Sequence, residues 1–325
     1  MKIVLMKGGI KMKIDFEKIK SKTNEALNNA TDVAKNVGEN IGKTSTKIVK
    51  EATEKVDQTK EQLMKKMDQN GDGQVTIEDV IIIALKIPGI KINREEFLKK
   101  EFSRYYSDEV VRNIVEKNPL YANIPIETVD KIAKDVIQVE RLCVSGISTA
   151  LSVPGGFAMV ATLPTDIAQY YGYMIRAMQK LLYLYGFPEI DTTEGQMLDS
   201  STMNTFIICM GVMYGVAGAN TALKSMAKAL GLGVEKKLIN TALTKGTIYP
   251  IVKSVAKWFN VRMTKEIFAG FFKKSIPVVG GVIGGGITYA TFKPCCERLK
   301  KTLKDTRLSN PDVKDEEIIE IVNQE

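Results

Sequence analysis

The residues whose types and spacing specify a chemistry lie in one stretch, residues 68–79, called here the 68–79 loop. Its oxygen donors stand at loop positions 1, 3, 5, 7, 9 and 12: Asp68, Asn70, Asp72, Gln74, Thr76 and Asp79. A hard divalent cation takes oxygens at such positions, with the seventh supplied by the main chain and the ninth directly or through water. Gly73 allows the sharp turn that brings the oxygens around one ion. The pattern predicts a metal site for Ca²⁺, with Mg²⁺ as the other candidate.

This spacing resembles the calcium loop of EF-hand proteins, with one departure at position 12, where Asp79 replaces the usual Glu. Aspartate is one methylene shorter, so we expect it to reach the ion with one oxygen, which narrows the preference for Ca²⁺ over Mg²⁺. Aspartate here also resembles dockerin loops, but those come as two copies and this chain has one. Apolar residues at helical spacing flank the loop and predict a helix on each side: Leu63, Met64, Met67, Val80, Ile81, Ile83 and Ala84.

The composition argues against most enzyme chemistry. The chain has 325 residues and no histidine, which removes Ser-His-Asp and Cys-His arrangements and zinc–histidine sites. Four cysteines without metal-ligand spacing indicate free thiols, and the adjacent Cys295 and Cys296 are interpreted as packing residues. Two Ser-x-x-Lys matches, at 225–228 and 254–257, are what chance provides. The sequence favours a non-enzymatic protein; a hydrolase acting on a lipid or ester through Ser or Cys is the alternative.

Charge is distributed unevenly along the chain. Residues 1–66 carry net +6, residues 67–223 net −6, residues 224–307 net +13 and residues 308–325 net −5. We call residues 224–307 the basic block. Only three of its 17 basic residues are arginine, and lysines beside glycine-rich apolar segments suit anionic lipid head groups better than base readout. Its candidate surface lysines are Lys253, Lys257, Lys273, Lys274, Lys300, Lys301 and Lys304.

These charges predict peripheral association with an anionic membrane or with a membrane-bound partner. Nucleic-acid binding through the basic block and a solvated basic face without a partner are the alternatives. We expect a cytoplasmic location or a peripheral position on the inner face of the cell membrane. The reason is that the apolar run Ile3–Met6 is too short for the core of a signal peptide. The sequence does not define an oligomeric state.

The predicted fold class is all-α, a multi-helix bundle with four parts. Residues 1–66 read as a basic amphipathic helical arm with an eleven-residue apolar period, and residues 67–100 as the EF-hand-like unit. Residues 101–307 form a helical domain, and residues 308–325 an acidic tail. Within these parts Asn93 is predicted to cap a helix, Asp166 to open a long helix, and Gly186 to end it.

Three segments contain no charged residue: 142–165, 200–223 and 275–292. Each is long enough to be considered as a membrane span. All three are diluted with polar or weakly apolar residues, namely Ser, Thr, Asn, Gly and Pro. Burial in a helical domain is therefore the preferred interpretation, and membrane insertion is the alternative.

Four short motifs carry a resemblance to a known family. They are Pro164-x-Asp166, the run from Gln179 to Gly186, Ala242-Leu243-Thr244-Lys245-Gly246, and the run from Ile276 to Gly281. Together they resemble the EcsC protein family over roughly residues 70–305, including the loop. The resemblance implies a bacterial, largely helical, cytoplasmic or membrane-associated protein. The family is mostly uncharacterised, so the resemblance supplies no catalytic residues.

Overall fold

The structure is a computed structural model that describes residues 2–7, 10–15, 65, 67–69, 71–151, 159–190, 198–234, 236–274, 280–306 and 308–310. For residues 2–15, 145–151, 159–168, 262–274 and 280–289 the description within these ranges is of the backbone. The chain forms two compact units, Met1–Glu61 and Gln62–Glu325. Most of the predicted arm 1–66 and of the predicted tail 308–325 lies outside the described residues.

The described part of the first unit is an antiparallel hairpin of β1 (Lys2–Lys7) and β2 (Ile10–Asp15). Its register pairs Ile3 with Ile14 and Leu5 with Met12. Gly8-Gly9 separates the two strands in sequence, a dipeptide typical of two-residue hairpin turns. This hairpin differs from the helical arm predicted for residues 1–66, because strand pairing, and not a helical period, organises residues 2–7 and 10–15.

The second unit is all-α in the residues that the structure describes, as predicted. Its ten described helices are α1 (Ile77–Leu85), α2 (Arg94–Phe102), α3 (Asp108–Glu116), α4 (Ile126–Leu151), α5 (Met159–Leu184), α6 (Ser200–Tyr214), α7 (Ala219–Gly231), α8 (Lys236–Thr244), α9 (Tyr249–Lys274) and α10 (Gly280–Lys304). Helices α4, α5 and α10 pack together, and α1 and α2 pack on α5. Residues 67–100 therefore belong to the same compact unit as residues 101–307.

Helix α6 is the most enclosed helix of the described bundle. Every residue from Ser201 to Met213 except Thr205 is buried, which confirms the buried interpretation for this part of the uncharged segment 200–223. A Cβ atom on Gly211 would lie 2.9 Å from side-chain atoms of Ala219 and Val255, so glycine is what lets α7 and α9 approach this closely. The segment is not one helix, because the chain turns between α6 and α7.

Two of the predicted helix boundaries are confirmed and one is wrong. The Asn93 side chain caps α2 by accepting a hydrogen bond from the Glu96 N–H, and Gly186, with φ of +95°, follows the end of α5. Asp166 does not open α5, which begins at Met159. The residues before Asp166 are compatible with a helix, and Pro164 removes only one main-chain donor near its start, so the helix extends upstream of the predicted cap.

No helix in the described ranges combines the length and the apolar character needed to cross a bilayer.

Candidate metal site and basic surface

The first half of the 68–79 loop folds around the carboxylate of Asp68. Oδ1 of Asp68 accepts a hydrogen bond from the Gly71 N–H at 2.6 Å, and Oδ2 accepts one from the Gly73 N–H at 2.8 Å. Both glycines have positive φ, 76° and 78°, a conformation that other residues adopt at a cost. The glycines at these two positions therefore let the main chain curl tightly enough to place its N–H groups on one carboxylate.

The exposed side of the loop carries further oxygens. Asp72 is exposed, and its Oδ1 accepts a hydrogen bond from the Gln74 N–H at 2.8 Å. Gln74 is exposed as well, while Asp68 and Thr76 are partly buried. A cation arriving from solvent can reach this face without crossing the core.

Asp79 occupies a different environment at the end of the loop. Its side chain is fully buried: Oδ1 accepts from the Gln69 N–H at 2.8 Å, and Oδ2 accepts from the Thr76 N–H and hydroxyl at 2.8 and 2.7 Å. Thr76 precedes the first residue of α1, so Asp79 closes the loop and caps this helix at the same time. In this conformation both carboxylate oxygens of Asp79 are committed to the protein.

The structure brings most, but not all, of the predicted ligands into one loop. Asn70 lies outside the described residues. Among the residues that are described, no three Asp, Glu or Cys side chains converge closely enough to hold an ion. Ligation by Asp68, Asp72 and Asp79 together therefore requires a rearrangement of the loop from this conformation.

The loop is anchored to the bundle on its apolar side. Val75 and Ile77 are buried, and the Ile77 N–H donates to Oδ1 of Asn260 on α9 at 3.0 Å. On the outer side Lys86 Nζ donates to Oε1 of Gln69 at 2.7 Å. By accepting this bond, Asn260 satisfies a main-chain donor in the first turn of α1 that has no partner within its own helix. Sequence reasoning missed Asn260, since a contact across 183 positions leaves no local signal.

The candidate lysines of the basic block fall into different environments. Lys253 and Lys257 are exposed on α9, and Lys253 Nζ lies 4.6 Å from the centroid of the Tyr249 ring. Lys301 is exposed on α10. Lys273 and Lys274 end α9, and their side chains lie outside the described part of the structure.

Lys300 and Lys304 correct the predicted basic surface. Lys300 is only 8% exposed, and its Nζ lies 2.6 Å from Oε2 of Glu297, so Lys300 does not belong to an open surface. Lys304 Nζ lies 2.6 Å from Oδ2 of Asp130. Hydrogen bonding to Asp130 raises the pKa of Lys304. Although burial alone would raise the pKa of Asp130, the hydrogen bonds from Lys304 and Tyr185 outweigh it and lower that pKa.

Three of the groups considered for an enzyme, Cys295, Cys296 and Ser225, are poorly placed for nucleophilic attack. Burial raises the pKa of Cys296 well above its ordinary value, and burial also raises that of Cys295 against a weaker opposing effect of Arg298. Thiolate is the reactive form, so these environments suppress reactivity. Ser225 is buried and its hydroxyl donates to the Thr221 carbonyl at 2.9 Å.

The structure contains a buried ionic cluster that was not predicted from the sequence. Oε1 of the fully buried Glu140 accepts from Arg176 Nε at 3.1 Å and from Lys180 Nζ at 2.5 Å; we call these three residues the Glu140 centre. Arg176 Nη1 also donates to the Gly89 carbonyl, which joins the turn after α1 to α5. Oε2 of Glu140 is buried and has no hydrogen-bond partner among the described residues. Two basic residues four positions apart on α5 are the sequence signal that could have pointed to this cluster.

In the described residues of the second unit, fold and loop together define an all-α bundle with an acidic, glycine-containing loop packed against it. Comparison with family models, with curated proteins and with solved structures returned no match. The resemblance to the EcsC family therefore stays a prediction.

Proposed function

We propose that this is a non-enzymatic protein that binds a divalent cation, Ca²⁺ or Mg²⁺, in the 68–79 loop and associates peripherally with an anionic membrane. The observation that carries the cation site is the loop conformation around Asp68. Main-chain N–H groups of two positive-φ glycines hold the Asp68 carboxylate, and the carboxylate of Asp72 is exposed beside it. Such a loop presents negative charge on the solvent side while its other side is fixed to the core.

Position 12 sets the expected affinity. Asp79 hydrogen-bonds the Gln69 and Thr76 N–H groups, so its use as a ligand competes with its use as a helix cap. We expect a Ca²⁺ dissociation constant weaker than about 10 µM and a small preference for Ca²⁺ over Mg²⁺. Binding should also order the loop, because its carboxylates must rearrange to share one ion.

Isothermal titration calorimetry of the full chain with CaCl₂ and with MgCl₂ tests the cation site. Asp68→Asn keeps the size of the side chain and removes its charge, and we expect it to weaken binding by at least about tenfold. Asp108→Asn is the matched control, since Asp108 is an exposed aspartate in the first turn of α3. Absence of binding by the unmodified chain, or equal loss in both variants, would contradict the loop as the site.

The membrane part of the proposal is supported by the charge of the basic block and by its exposed lysines. Lys253 and Lys257 stand one turn apart on α9 and are both exposed. Lysines near an anionic surface contribute about 1 kcal/mol each. Residues 1–66, with a net charge of +6, add to the same attraction.

Sedimentation with phosphatidylserine-containing vesicles in Ca²⁺, in Mg²⁺ and in EDTA tests this part. We expect the double reversal Lys253→Glu/Lys257→Glu to lower binding by at least about tenfold. Lys99→Glu/Lys100→Glu changes the net charge equally at two exposed positions on α2 and serves as control. Dependence on cation would connect the loop to recruitment, and binding in EDTA would assign recruitment to the basic residues. No binding in any condition would contradict membrane association.

Nucleic-acid binding through the basic block is the alternative to a membrane partner. An electrophoretic mobility shift with duplex DNA and with RNA at low salt separates the two, because electrostatic nucleic-acid binding weakens steeply as salt rises.

A further inference from the structure

Contacts between the start of α4 and the ends of α5 and α10 show how these central helices are oriented relative to one another. Lys304, the last residue of α10, lies 2.6 Å from Asp130 near the start of α4, so these two helices run antiparallel. Tyr185, just after α5, donates its hydroxyl proton to the same Asp130 at 2.5 Å, so α5 is antiparallel to α4 as well. The start of α4 and the ends of α5 and α10 therefore lie at one end of the bundle.

The opposite ends of the same helices also lie together. Tyr170 on α5 and Thr291 on α10 approach to 3.3 Å between their hydroxyl oxygens, and each stands eleven residues after the start of its helix. With equal rise per residue, Met159 and Gly280 lie at the same level along the bundle. Asp130 of α4 contacts Tyr185 and Lys304, so lengths along the three helices can be counted from the level of Asp130. Leu151, the last residue of α4, then lies within about 8 Å of the level of Met159 and Gly280, measured along the bundle axis. We call the end formed by Leu151, Met159 and Gly280 the uncharged end.

This end joins two of the three segments that contain no charged residue. Helix α4 is uncharged from position 142 onward, α5 up to position 165 and α10 from its start to position 292. A helix in a bundle needs only one apolar face toward the core, and its outer face ordinarily carries charge. Three helix ends without any charge leave no charged outer face for water at this end.

Three exposed apolar side chains lie on the helices that lead toward the uncharged end. Val139 and Leu142 on α4 are 54% and 55% exposed, and Val261 on α9 is 54% exposed. Val261 stands two residues after Phe259, whose ring contacts Tyr214 of α6. Exposed branched apolar side chains near an uncharged helix end form a surface that water solvates poorly.

Positive charge lies close to the same end along the chain. Helix α9 finishes at Lys274, and five residues separate it from Gly280, so its end lies within about 20 Å of the start of α10. Positions 262–274 carry Arg262, Lys265, Lys273 and Lys274 against the single acid Glu266. An uncharged, weakly apolar end next to a lysine-bearing stretch of the chain is complementary to the surface of an anionic bilayer, where head groups attract the lysines and the interface receives the apolar groups.

We propose that the uncharged end is the part of the molecule that enters the bilayer interface. This inference rests on the proposed membrane association and specifies its geometry: the bundle stands on the bilayer with α4, α5 and α10 pointing their uncharged ends into the head-group region. Shallow insertion fits helix ends rich in Gly, Ser and Thr.

The chain contains its own probe for this geometry. Cys143 is exposed one residue beyond Leu142, whereas Cys209, Cys295 and Cys296 are buried, so an environment-sensitive maleimide dye labels position 143 selectively. On addition of phosphatidylserine–phosphatidylcholine vesicles we expect a blue-shifted, brighter emission that doxyl-labelled lipid quenches. Sedimentation of the same samples measures binding independently of the dye.

Leu142→Glu and Tyr121→Glu form the matched pair. Both put one carboxylate at an exposed apolar position, but Tyr121 precedes the start of α4 and lies at the opposite end of the bundle. We expect Leu142→Glu to lower vesicle binding by at least about tenfold, because an apolar contact is lost and a charge is added at the interface. Tyr121→Glu should stay within about twofold of the unmodified chain.

The outcomes separate the two proposals. Vesicle binding by the unmodified chain with no change at the dye, or with equal effects of Leu142→Glu and Tyr121→Glu, would overturn the uncharged end while leaving membrane association intact. No binding by the unmodified chain to any vesicle would overturn both. Dye insertion together with a selective loss in Leu142→Glu supports the proposal.

Discussion

The 68–79 loop and the Glu140 centre use carboxylates in opposite ways. In the loop, Asp68 and Asp72 face or approach solvent and accept hydrogen bonds from main-chain N–H groups two to five residues away. In the Glu140 centre the carboxylate is fully buried and accepts from two side-chain cations 36 and 40 residues away. Local and exposed partners can be exchanged for an ion at little cost, whereas distant and buried partners hold helices together. The difference separates a binding role from an architectural one.

Glu140→Ala should have the largest effect on stability. It removes the acceptor shared by Arg176 and Lys180 in a buried setting, and we expect the free energy of unfolding to fall by about 3 kcal/mol. Urea denaturation followed by circular dichroism measures it. Glu95→Ala, which breaks the exposed Glu95–Lys99 pair on α2, is the control and should be close to neutral. Equal effects of the two substitutions would contradict the architectural role.

The same contrast explains what sequence reasoning finds and what it does not. Features with a local cause were predicted: the Asn93 cap, the glycine stop after α5, and the enclosed helix α6. The Glu140 centre and the Asn260 contact depend on which helices meet, and nothing near these residues in sequence encodes that meeting. The 68–79 loop lies between these cases. The spacing of its oxygen donors could be recognised in the sequence, but the capping role of Asp79 could not.

Asp79→Glu sharpens the comparison because Asp79 is the one loop carboxylate that is buried and also serves as a cap. The longer side chain can reach an ion with both oxygens, so we expect Ca²⁺ affinity to rise about tenfold with little change for Mg²⁺. Displacement of the cap should cost about 1 kcal/mol of stability without cation. Calorimetric titration and thermal unfolding in EDTA measure the two effects. Unchanged Ca²⁺ affinity would mean that position 12 acts as a cap alone.

Asn260→Ala tests whether the loop depends on the bundle behind it. The Ile77 N–H loses its acceptor, so we expect a loss of about 1 kcal/mol and faster amide hydrogen exchange at the start of α1. Asn113→Ala at an exposed position of α3 is the control. If exchange at Ile77 were equal in both variants, the loop would be positioned by Val75 and Ile77 packing without help from α9.

The smallest expected effect belongs to the ion pair between Asp130 and Lys304, which is partly exposed and lies between the two extremes of the comparison. The pKa of Asp130 is lowered on folding, so its contribution is complete above the ordinary aspartate value of about 3.9 and disappears as pH falls through the folded value. The pKa of Lys304 is raised, so its contribution is complete below about 10.4 and disappears as pH rises beyond the folded value.

Lys304→Met should therefore lower stability by less than about 1 kcal/mol near neutral pH, and the deficit should vanish in strong acid. Urea midpoints measured from neutral pH into strong acid test this, with Lys301→Met as the exposed control on the same helix. A deficit that persists in acid would assign the effect of Lys304 to packing of its methylene chain, because charge pairing with Asp130 cannot survive protonation of that carboxylate.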